Sequence, residues 1–123
     1  MASAGEIEKT VKRYLELAAK GSADDIAALY AEDATVEDPV GSKVRRGRDA
    51  IREFYAAVEG PERHVEPEAI RVSGNEAAYL FTLTINLGDN RSHIAPIGVM
   101  TFDDHAKITS MRAFWSPADL TTL

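Results

Sequence analysis

Apolar residues recur at helical spacing through the first half of the chain and at alternating spacing through the second. Ile7, Val11, Tyr14, Leu15 and Ala18 form one stripe, opened by the capping pattern Ser3-x-x-Glu6 and closed at Gly21, which predicts a first helix. A second cap, Ser22-x-x-Asp25, begins a short helix carrying Ile26, Leu29 and Tyr30, and the two helices are expected to fold back as a hairpin over something larger. Alternation over Ala34–Val40 predicts a strand, and Gly41 to Gly47 reads as a loop. A third helix is expected over 48–59, with Ile51, Phe54, Tyr55 and Val58 on one face and Gly60-Pro61 as its stop.

Beyond Pro61 the period becomes that of strands. Ala69–Val72, Tyr79–Leu87, Ser92–Phe102 and Ile108–Trp115 read as four strands, with turns at Gly74-Asn75, Gly88-Asp89-Asn90 and Asp103-Asp104-His105. Tyr79, Phe81, Leu83, Ile85 and Leu87 make the clearest amphipathic series. Helices followed by strands imply an α+β fold, a cone-shaped, curved, mostly antiparallel sheet covered by three N-terminal helices. Pro67 and Pro96 require edges or bulges, which are how such sheets curve. The 123 residues fit a single domain spanning 1–123.

A net charge of −6 argues against nucleic-acid binding, because no basic excess exists to displace counterions. Lys43 to Arg48 is the one dense basic run and reads as a solvated loop and helix start. With no cysteine there are no disulfides, thiol nucleophiles or zinc thiolates. No apolar run has membrane-spanning length and Met1–Glu6 lacks a signal-peptide pattern, so a soluble cytoplasmic protein is the expectation. His64, His93 and His105 show no metal-ligand spacing, and neither a metal nor an organic cofactor is expected.

The strand Ala34–Val40 poses the chemical question. Val36 and Asp38 share one face of it, so a carboxylate stands on the apolar side, where it is expensive unless paired or neutral. Proton chemistry is one reason to keep it there; a turn at Asp38-Pro39 is the plainer one. The open end of a cone could hold a small molecule lined by Tyr14, Tyr30, Val36, Asp38, Phe54, Tyr55, Phe81, Gly98, Met100, Met111 and Trp115. Each tyrosine is explained as ordinary core by its spacing. Buried together, the hydroxyls of Tyr14, Tyr30 and Tyr55 could chain into a network that stabilises negative charge at its end.

These residues carry a resemblance. Arg13-Tyr14, Leu29 to Gly41, Ala50 to Tyr55, Asn75 to Ala78, Ala95-Pro96-Ile97 and Ser110 to Ser116 are similar, in order, to the bacterial steroid Δ5-3-ketoisomerases, or ketosteroid isomerases, of the nuclear transport factor two-like superfamily. That family is a standard example of tuned carboxyl acidity. The resemblance implies that Asp38 is the general base, moving a proton from C4 to C6 of a 3-oxo-Δ5-steroid through a dienolate. It implies that Tyr14 donates to the dienolate oxygen with support from Tyr30 and Tyr55, and that the Trp115 indole steadies Asp38. Val36, Phe54, Phe81, Val99, Met111 and Trp115 would line an apolar steroid pocket. A homodimer formed through the outer face of the sheet is also implied.

One position departs. The family's second oxyanion donor, a protonated aspartate, follows the segment matched by Ala95-Pro96-Ile97, where this chain has Gly98. A deliberate substitution, another donor, or drift to a different activity would each account for it. Losing one such donor commonly costs about 10²–10³ in rate. The loss would be smaller if the vacated space held a water that donates instead. A slowed isomerase is therefore expected. A hydratase or cyclase on the same cone, or a hydrophobic-ligand-binding protein with lapsed catalysis, is the alternative.

Overall fold

The computed structural model describes residues 1–123. Its elements are α1 (Ala4–Lys20), α2 (Ala23–Ala27), β1 (Tyr30–Glu37), β2 (Arg45–Arg46), α3 (Arg48–Val58), β3 (Glu62–Ser73), β4 (Glu76–Leu87), β5 (Asn90–Ile94), β6 (Ile97–Phe102), β7 (Ile108–Phe114), a 3-10 turn (Pro117–Asp119) and β8 (Thr121–Thr122). The architecture is α+β, with a curved mixed sheet of 8 strands covered by the helices. Both halves of the Ser3/Glu6 capping box form, and Ser22 caps α2 through the Asp25 N–H.

The strands run β2-β1-β7-β6-β4-β5-β8, with β3 on the other edge of β4. All pairs are antiparallel except β1 with β7. The long β4 forks: its first half pairs with β6 and its second half with β5. The split falls at Ala95-Pro96, since proline has no N–H for the ladder. A register shift between Pro67 and Ala69 bends β3 as well. Curled in this way, the sheet closes its inner face around one apolar cluster reaching from Ala2 to Ala113, with α1 packed along β3.

Several boundaries differ from the sequence reading. Tyr30 begins β1 rather than ending the second helix, because its backbone pairs with Ile108 of β7. Ser92–Phe102 is two strands, not one. The strand expected over Ala69–Val72 starts at Glu62, held by β4 along its whole length. The 41–47 loop contains the short β2, and Val58 is exposed rather than on the buried face of α3. In each case pairing with a distant strand, or a neighbour's position, overrides local pattern.

Candidate active site

Parallel pairing brings the ends of β1 and β7 to the same side of the sheet. Val36 pairs with Met111 and Glu37 with Arg112, so Asp38 and Trp115, each just past its strand, come out side by side. The Val40 N–H donates to the Ala113 carbonyl at 2.8 Å and Arg112 Nε to Glu37 Oε1 at 3.2 Å, which fixes the exit. There the Trp115 Nε1–H donates to Asp38 Oδ1 at 2.7 Å. Burial raises the Asp38 carboxyl above its ordinary pKa, while the indole donor and, less strongly, the Arg45 charge pull it back. Asp38 is a partly buried carboxylate with one fixed hydrogen bond and a free oxygen.

Helix α3 is moored to β1 at its first turn. Gly47 N–H donates to the Ala34 carbonyl at 2.8 Å and Arg48 Nε to the Tyr30 carbonyl at 2.9 Å. This holds Tyr55 over Tyr30, whose hydroxyls are 2.7 Å apart, and the Tyr55 and Tyr14 hydroxyls are 3.0 Å apart. One residue each from β1, α3 and α1 thus builds a buried chain of phenols. Desolvation raises all three above the usual tyrosine pKa, and the Asp38 charge adds to the rise at Tyr14. They stay neutral, and a neutral phenol can donate to a charge that forms beside it.

Val36, Met100, Met111 and Phe81 are buried on the inner face, with Phe54 and Trp115 partly buried against the same core. Val99 is a correction: it pairs with Ala78 and Arg112, both exposed, and so lies on the outer face, while Gly98 and Met100 point inward. The basic run is a second correction. Arg45 is not simply solvated, since its guanidinium lies 4.7 Å over the Phe54 ring and its charge reaches Asp38. A concavity on the outside of α1, lined by Gly5 and the charged Glu8, Lys9, Lys12, Arg13 and Glu16, offers nothing to an apolar ligand.

The space beside Gly98 is filled by a side chain of the protein itself rather than left for a water. Tyr79 pairs with Gly98 directly across the β4–β6 ladder, and its ring folds over the glycine. A Cβ placed at position 98 would overlap Cζ and the hydroxyl oxygen of Tyr79. Gly98 has no positive φ, so space rather than backbone conformation calls for glycine here. Tyr79 itself is buried and packs edge-on to Tyr14, with ring centroids 6.1 Å apart. The sequence reading left Tyr79 out of the site, although alternation with Phe81 already put both on one face.

A half-buried carboxylate facing neutral phenols within a curled sheet defines a protein of the cone-fold class that acts on small molecules. The chain belongs to the SnoaL-like domain family, which matches residues 11–111. Among characterised relatives it is 50% identical, over 115 residues and 94% of each chain, to the steroid Delta-isomerase of Nocardioides simplex. Its fold is similar to the solved structure of SalBIII, an epoxide hydrolase/cyclase-like enzyme with a role in pyran ring formation in the polyether salinomycin. That match has a TM-score of 0.91, 29% identity and complete coverage (100%) of both chains.

Proposed function

We propose that this chain is a cofactor-independent steroid Δ-isomerase, shifting the double bond of a 3-oxo-Δ5-steroid into conjugation with the ketone. The carrying observation is Asp38, held by Trp115 beside the apolar inner face of the sheet and within electrostatic reach of Tyr14 and Tyr30 in the phenol chain. The half-identity to a steroid Delta-isomerase supports the same reading.

In the first step Asp38 takes a proton from C4. The C4–H electron pair forms the C3–C4 double bond and the carbonyl pair moves to oxygen, giving a dienolate. Tyr14 donates to that oxygen, where the hydrogen bond is stronger than to the neutral ketone, and so favours the transition state. In the second step the protonated Asp38 returns its proton to C6. The carbonyl reforms and the remaining double bond rests between C4 and C5. A base of raised proton affinity suits removal of a proton from carbon, and a dry chamber limits exchange with water. Val36, Phe54, Phe81, Met111 and Trp115 supply apolar surface for the flat skeleton.

In this reading residues 1–123 are one catalytic domain working in the cytoplasm. It forms a homodimer through the outer sheet face, where Ile97 and Phe114 are 48% and 42% exposed and Val99 lies beside them. None of its helices is long and apolar enough to cross a membrane. The fold shared with a cyclase-like enzyme favours a second reading, in which Asp38 deprotonates a hydroxyl for ring closure.

The test is the appearance of conjugated-enone absorbance from 5-androstene-3,17-dione. Turnover by the wild type, lost in Asp38→Asn, is expected. Tight steroid binding with no turnover would overturn the isomerase reading in favour of a binding protein, and turnover of epoxy-alcohols alone would favour the cyclase.

A further inference from the structure

Four tyrosines lie in this core, and the proton-transfer scheme uses three. Tyr30, Tyr55 and Tyr14 are joined hydroxyl to hydroxyl. Tyr79 is different. It is 2% exposed, and its hydroxyl lacks a short hydrogen bond, making only a longer polar contact with the Tyr14 hydroxyl. Nor is it sealed: the one wholly enclosed side-chain polar atom without a partner is Arg63 Nε. The Tyr79 hydroxyl is therefore not fully enclosed, and its donor is held by no short bond. A phenol in that state is a hydrogen-bond donor waiting for an acceptor.

Its location is specific. Its Cζ and hydroxyl oxygen crowd the place where a Cβ at Gly98 would stand, and Gly98 is the position from which an oxyanion-binding acid is expected. It also stands next to Tyr14: the two phenols shift each other's acidity, and both feel the Asp38 charge. Tyr14 and Tyr79 thus meet, from α1 and β4, on the inner side of the sheet, and Asp38 lies within electrostatic reach of both. Burial raises the Tyr79 pKa as it does that of Tyr14, which keeps both donors protonated.

We propose that Tyr79 is a further catalytic residue, its hydroxyl giving the second hydrogen bond to the dienolate oxygen in place of the side chain absent at Gly98. The inference rests on the isomerase reading. In it the oxyanion site is not weakened but rebuilt from two phenols, and Gly98 is the clearance that lets the second one in. No covalent bond forms to Tyr79 and its proton stays on its own oxygen; it stabilises charge only as the charge develops.

Tyr79→Phe keeps the ring over Gly98 and deletes only the donor. With 5-androstene-3,17-dione, kcat is expected to fall about 10²-fold, with KM and the melting temperature close to wild type. The same variant should weaken binding of substituted phenolates, which stand in for the dienolate oxygen, by at least about tenfold. An unchanged kcat and unchanged phenolate affinity would overturn the proposal and leave Tyr79 as packing. If the wild type fails to turn over the steroid, the isomerase reading falls, and phenolate binding still decides whether Tyr79 donates into the cone. Adding Gly98→Asp to Tyr79→Ala, which removes the ring, should recover rate, whereas Gly98→Asp alone should lower it. Equal effects of Gly98→Asp in both backgrounds would contradict a shared space.

Discussion

The Trp115 indole and the Asp38 carboxylate meet at 2.7 Å, and this bond works against the burial that lifts the acid's pKa. Hydrogen bonds to charged groups contribute about 1.5–3 kcal/mol, and each pKa unit is ~1.36 kcal/mol. In Trp115→Phe the acidic limb of kcat/KM is expected to move up by about one unit or more. A pH–rate profile of both proteins checks this; a limb that stays in place would mean the indole does not stabilise the carboxylate.

Asp38 should cost the fold stability in return for its function. Its pKa is raised in the folded protein, so between the ordinary aspartate value and the native one the folded state holds a proton that the unfolded chain has lost. Stability from this group therefore falls as pH rises through that window and stays reduced above it. Asp38→Asn is expected to melt higher than wild type at neutral pH while losing about 10²–10⁴ in kcat. Calorimetry at pH 7, alongside the enone assay, reads both; a lower melting temperature would contradict the burial argument.

Tyr55 is the middle of the phenol chain and touches both Tyr14 and Tyr30. Tyr55→Phe leaves the Tyr30 hydroxyl buried and unpaired, which costs about 1–3 kcal/mol of stability. Tyr14→Phe removes the proposed oxyanion donor and should lower kcat about 10²–10³-fold, more than Tyr55→Phe does. Denaturant melts and steady-state kinetics on the two variants should show these opposite rankings.

On the outer sheet face Ile97 and Phe114 are cross-strand partners, both substantially exposed. An apolar pair of this kind suits an interface between copies. Phe114→Glu, and more strongly Phe114→Glu with Ile97→Glu, should convert a dimer to monomer in sedimentation equilibrium. A wild type that sediments as a monomer at micromolar concentration would refute the interface.

Much of the site was legible before folding was considered. Alternation set Val36 and Asp38 on one face, helical spacing set Tyr14 and Tyr55 on buried stripes, and the ordered family resemblance joined them to Trp115. These are local periodicities, and side-chain direction follows from them once an element is identified. Val99 was misplaced because its role came from resemblance, while the alternation with inward Gly98 and Met100 puts it outside.

Ladder registers and packing between distant segments fixed the remainder. Asp38 and Trp115 meet because β1 and β7 run parallel in one register, and Tyr30 left its helix for the strand because Ile108 was there to pair. The sequence by itself determined the three helices, the alternation of most strands, the apolar inner face and its charged exception, since these depend on the order of residues within a few turns or pleats. Only the tertiary structure decided what fills the space at Gly98: Tyr79 arrives from another strand, and which side chain faces a glycine across a ladder is a matter of non-local pairing.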